Sequence, residues 1–186
     1  METTLDQSEI GSRFTKAGIN LFVAGYRGYG INDGFPTMNS LFQDCHAIYA
    51  HFKKILKAEN YSGAIFVMGR SLGSMPAIEL AYHYQGEIKG LILESGTAQN
   101  FKAVWEGADA KQIKKLGDAK FYNKDKIKEI TVPTLIIHGE ADTQIPVQIA
   151  QAMYNLSAAQ DKQIVVIPGA GHEDLRTIGG EDFYGP

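Results

Sequence analysis

The stretch "FVMGRSLGS" (66–74) sets Ser71 between Gly69 and Gly73, directly after an apolar run. A serine hydroxyl is unreactive at neutral pH unless a base takes its proton, and that base needs a carboxylate to hold it in the right tautomer. The chemistry to look for is a Ser-His-acid proton relay. Gly-x-Ser-x-Gly alone is a weak signal in a chain with 20 glycines, so its surroundings must carry the reading. The run 64–69 reads as a strand and 72–84 as a helix, which puts Ser71 on a tight strand-to-helix turn where neighbours without side chains are needed. The helix aims its first free N–H groups, beginning with Leu72, at negative charge that develops beside the serine.

Of the five histidines, His46, His51 and His83 lie inside expected helices and read as packing or surface residues. His138 ends a strand and reads as a hydrogen-bonded structural histidine. His172 differs from all of these. It follows the last strand in "IPGAGHEDL", on a glycine-rich loop at the carboxyl end, where ligands bind in open parallel sheets. Asp142, in "IIHGEADTQIP", occupies the matching loop after the preceding strand. The chain order Ser71, Asp142, His172 is the one expected of a nucleophile elbow with its partners.

Other chemistry fits less well. "GYGINDG" (28–34) has Asp33 where the third glycine of a dinucleotide loop belongs, and no Gly-Lys-Ser or Gly-Lys-Thr phosphate loop is present. His172, Glu173 and Asp174 carry metal-ligating groups, but no HExxH or paired Cys-x-x-Cys accompanies them. Neither a cofactor nor a metal is expected.

The elements that must position these residues alternate in type. Helix is expected over 4–17, 38–57, 72–84 and 146–157, and strand over 19–25, 64–69, 88–95, 132–139 and 162–169. In the long helix, Met38, Leu41, Phe42, Cys45, Ile48, Tyr49, Phe52, Ile55 and Leu56 recur at spacings of three and four, which defines one apolar face. Strands rich in Ile, Val and Leu on both faces, joined by helices, mark a mostly parallel sheet flanked by helices. The class is α/β. Residues 96–131 break the rhythm, being polar and lysine-rich with Phe101, Val104, Trp105 and Phe121 as apolar points. They read either as a solvated connecting segment or as a small lid, and the aromatic residues either as core or as the lining of an acyl pocket.

With 186 residues, 44% of them hydrophobic, the chain can bury one core, and 1–186 is expected to be a single domain. A net charge of -3 leaves no basic surplus for a phosphate backbone, so nucleic acid is not an expected partner. No segment approaches the length of a membrane span, and the opening "METTLDQSEIG" is too polar for a signal peptide. The lone Cys45 cannot form an internal disulfide and sits on the apolar side of its helix, a buried structural thiol. A reducing cytoplasmic setting is the expectation.

These residues resemble the α/β-hydrolase superfamily, in particular small serine hydrolases with a "YRGYG" loop. "GINLFVAGYRGYGINDGFPT" (18–37), "GRSLGS" (69–74), "LILESG" (91–96), "VPTLIIHGEADTQIP" (132–146) and "IPGAGHEDL" (167–175) carry the likeness across nearly the whole chain. It implies acyl transfer on an ester, thioester or amide, with a small-molecule or acyl substrate. In that scheme Ser71 is nucleophile, His172 shuttles the proton, Asp142 orients His172 and the Leu72 N–H donates to the oxyanion. Gly25 stands where the group usually has an aspartate, which bears on how the "YRGYG" loop is anchored. The resemblance also implies strands before residue 1, ending in a His-Gly loop that supplies a second oxyanion N–H, and a closing helix after Pro186. The expectation is a partial α/β-hydrolase fold lacking its first strands, with exposed strand edges that favour pairing with a second copy. Two functions follow: a serine hydrolase, or a catalytically weak or inactive remnant acting as a binding or scaffold protein.

Overall fold

The computed structural model describes residues 8–98 and 123–180. The described residues fall into two compact units, one ending at Ser62 and the other spanning Gly63–Gly180. The first holds helix α1 (Ser8–Lys16) and the long helix α2 (Met38–Ala58). Thr37 starts α2 with a reciprocal cap: its Oγ1 accepts the Ser40 N–H at 3.0 Å, and its own N–H donates to Ser40 Oγ at 2.8 Å. Satisfying orphan donors at a helix start is worth about 1 kcal/mol. Thr37→Ala is therefore expected to destabilise the protein by about 1 kcal/mol, read as a lower urea midpoint at unchanged slope. Cys45 is fully buried on α2, and its Sγ donates to the Phe42 carbonyl at 3.1 Å.

The strand expected over 19–25 is not formed. These residues belong to no ladder, and Ile19, Leu21, Phe22 and Val23 remain 38–50% exposed. An apolar run becomes a strand only when a neighbour takes up its backbone groups, and composition cannot supply that neighbour. The "YRGYG" loop beyond it is nonetheless anchored. Arg27 Nε donates to Asp44 Oδ2 on α2 at 2.8 Å, and its Nη2 pairs with Oδ1. That hydrogen bond holds the Asp44 carboxyl below its usual range and raises Arg27 further. A depressed carboxylate contributes stability above its ordinary pKa and loses it as pH falls through the folded value, so this anchor loosens only in acid.

The second unit is a four-stranded, all-parallel sheet in the order β1-β2-β3-β4, with β1 Ile65–Arg70, β2 Ile88–Glu94, β3 Thr134–Gly139 and β4 Lys162–Ile167. The two inner strands are the buried ones, as a sheet covered on both faces requires. Between the strands run α3 (Ser74–His83), α4 (Asn123–Lys126) and α5 (Val147–Leu156), and α6 (Leu175–Gly179) follows β4. Ile78, Leu91, Leu93, Ile136 and Met153 form the centre of the core, each worth about 1.5–3 kcal/mol of burial. Strand ends follow local chemistry: β3 begins after Pro133, which has no N–H to donate, and β4 stops before Pro168.

Of the 96–131 segment, Ala98, Ile127 and Ile130 pack into this core, and the Asn123 side chain donates to the Met75 carbonyl at 3.1 Å. The choice between lid and connection, with Phe101, Val104, Trp105 and Phe121, falls on 99–122, outside the described residues. Among the described residues, no helix is long and apolar enough to cross a membrane.

Candidate active site

Three loops at the carboxyl edge of the sheet converge. Ser71 follows the last residue of β1 and has φ +50°, a left-handed conformation that is costly for a residue with a Cβ. The strain is held by the packing of the turn. A Cβ on Gly69 would lie 2.3 Å from the Gly73 carbonyl oxygen and 2.7 Å from Ala77 Cβ, so β1 and α3 approach as closely as they do only because this residue is glycine. Gly73 differs from Gly69: among the described residues nothing crowds its Cβ position, so the close approach of β1 and α3 falls on Gly69. Ser74, which the sequence reading passed over, donates to the Ser71 carbonyl at 2.6 Å and accepts the Thr97 N–H at 3.0 Å.

Asp142 and His172 sit on the next two loops, which are stitched together by their backbones. The Ala141 N–H donates to the Ala170 carbonyl at 2.8 Å, and the Glu140 N–H to the Ile167 carbonyl at 3.0 Å. Asp142 is buried. Its Oδ1 accepts the N–H groups of Gln144 and Ile145 at 2.9 and 2.8 Å, while Oδ2 faces His172 Nδ1 at 2.7 Å. An ionised carboxylate only accepts, so Nδ1 carries the proton and Nε2 of the neutral ring presents its lone pair. That Nε2 lies 2.9 Å from Ser71 Oγ. The structure thus brings Ser71, His172 and Asp142 into one hydrogen-bonded line. Leu72 occupies the first turn after Ser71, among the N–H groups a helix start leaves without intrahelical partners.

His138 is fully buried, and its Nε2 donates to the Ile145 carbonyl at 2.7 Å, 3.4 Å from Asp142 Oδ2, in keeping with the structural role read for it. It closes the loop that carries Asp142.

The family model described as "Serine aminopeptidase, S33" matches residues 2–121 and 98–176. The chain belongs to this family, within the α/β-hydrolase superfamily. Among its relatives, alpha/beta hydrolase domain-containing protein 17B of Homo sapiens is 31% identical over 172 residues, which are 91% of this chain and 55% of that protein. Alpha/beta hydrolase domain-containing protein WAV2 of Arabidopsis thaliana is 28% identical over 180 residues, 89% of this chain and 58% of that protein. The chain spans about half the length of the curated relatives it matches. Among solved structures, the Paleococcus ferrophilus monoacylglycerol lipase superposes with a TM-score of 0.74 at 17% identity, over 98% of this chain and 87% of that one. Est1E from Butyrivibrio proteoclasticus, in a structure with ferulic acid bound, gives 0.76 at 19% identity, over 95% and 79%. At such identities the likeness is one of fold, the α/β-hydrolase fold.

Two charged residues of this S33 chain were missed from the sequence. Arg70 and Glu94 lie at the ends of apolar strands, and Glu94 is completely buried. A charge inside an apolar run was the available signal, because a buried carboxylate must be paired. Arg70 and Arg176 both meet it. Arg70 also reaches Glu173, where burial opposes ionisation but is outweighed by the hydrogen bond and charge of Arg70, with Gln144 adding to them, so that the carboxyl titrates below its usual value.

Proposed function

We propose that this chain is a serine hydrolase that cleaves a carboxylic ester, thioester or amide of a small acyl substrate through an acyl-enzyme. The observation that carries the reading is the line from Ser71 Oγ through His172 to Asp142, at 2.9 and 2.7 Å, starting from a serine held at φ +50°. Ser71 Oγ attacks the carbonyl carbon while its proton passes to His172 Nε2. The Leu72 N–H donates to the oxyanion that forms. Collapse of that intermediate breaks the bond to the alcohol, thiol or amine, which leaves with the proton from Nε2. A water then repeats both steps and frees the acid. Asp142 keeps Nδ1 protonated throughout and stabilises the imidazolium.

The test is reaction of the native chain with a fluorophosphonate and location of the adduct by mass spectrometry. Phosphonylation of Ser71, absent from heat-unfolded protein, is the expected result; native protein left unmodified at Ser71 overturns it.

A second reading, an inactive member of the family that serves as a binding or scaffold protein, is favoured by one observation. The first unit exposes Ile31 and Phe35 by 81% and 82%, together with the apolar row at 19–23, and apolar groups left in water suit a partner. Absence of the Ser71 adduct supports that reading.

A further inference from the structure

Arg70 immediately precedes Ser71, and its side chain does not point into solvent. Its Nη2 donates to the main-chain carbonyl of His172 at 2.7 Å and reaches Glu173 Oε2 at 3.3 Å, while its Nε lies 3.1 Å from Glu94 Oε1. Glu94 ends β2 with no exposed surface, and its other side is held by Arg176 of α6, through Nε at 2.9 and 3.1 Å and Nη2 at 2.8 Å. One buried carboxylate therefore holds two guanidinium groups. One leads into the nucleophile turn and grips the backbone of His172. The other anchors the helix that begins three residues after His172.

We propose that Arg70, braced by Glu94, is a positioning residue: it sets the distance between the His172 ring and Ser71 by tying the His172 carbonyl to the strand that delivers the serine. The proposal rests on the hydrolase reading above. Its physical basis is that Ser71 and His172 lie on separate loops, and a misplacement of about 1 Å between reacting groups costs roughly a hundredfold in rate. The guanidinium suits the task because its planar fork can aim an N–H at a carbonyl while its spread charge pairs with a carboxylate beside it. A lysine ammonium is a compact point charge. It preserves the pairing with Glu94 and gives up the second, directed bond.

That difference supplies the test. Arg70→Lys is expected to keep its Tm within a few degrees of wild type, because Glu94 retains two cations. Its rate of phosphonylation at Ser71 is expected to fall about tenfold to a hundredfold. On p-nitrophenyl butyrate the loss is expected in kcat, with KM within about twofold. Independently of turnover, the proton NMR signal of the His172 Nδ1–H held by Asp142 is expected to broaden or vanish in the variant. Arg70→Met is expected to slow labelling equally and also to lose stability; if it does not fold, the lysine variant carries the result. A lysine variant with wild-type labelling rate and an unchanged imidazole signal overturns the proposal. If wild-type protein is not labelled at all, the hydrolase reading fails, and the imidazole signal alone decides whether Arg70 positions His172.

Discussion

Asp142→Asn is expected to lower kcat on an activated ester by about 10,000-fold while leaving the fold in place. The reason is directional. Asp142 Oδ1 accepts two backbone N–H groups, from Gln144 and Ile145, and the asparagine carbonyl oxygen can replace it there. The amide NH₂ then faces His172 Nδ1, which at 2.7 Å must become an acceptor. Its proton moves to Nε2, so the ring presents an N–H to Ser71 in place of a lone pair and can no longer receive the hydroxyl proton. Steady-state kinetics with p-nitrophenyl butyrate and a urea titration check the two halves separately. A variant that turns over within tenfold of wild type removes Asp142 from the relay.

Gly69→Ala is expected to cost about 3 kcal/mol or more of stability and to disable Ser71 as well. The added methyl would sit 2.3 Å from the Gly73 carbonyl oxygen and 2.7 Å from Ala77 Cβ. Backbone and a helix-borne methyl cannot rotate away, so β1 and α3 must separate, and the strained serine between them moves too. Gly73→Ala is the matched control. Apart from its own turn of backbone, no heavy atom lies within 4 Å of its Cβ position among the described residues, and its φ is an ordinary helical -62°. It is expected to leave stability nearly unchanged. Equal urea midpoints for the two variants would show that close strand-to-helix contact is not what holds the turn.

Four strands, helices α2, α3 and α5 and the loops that carry Ser71, Asp142 and His172 were legible in the sequence, because hydrophobic period and turn residues are local properties that a short window records; the short α4, inside the polar 96–131 segment, was not. Met38 to Leu56 shows its helical face in this way, and Ile88 to Glu94 its buried strand. The α/β-hydrolase resemblance was carried by the same short stretches. What the tertiary structure alone decided is pairing. The run at 19–25 has a strand's composition but forms no ladder, since a strand is defined by the backbone of a neighbour. Likewise Arg70 and Glu94 could be recognised as charges at the ends of apolar strands, yet the carbonyl that Arg70 grips lies 102 positions further along the chain. Which distant groups meet depends on the order and register of strands across the sheet, and no local pattern of residues encodes a distance of that kind.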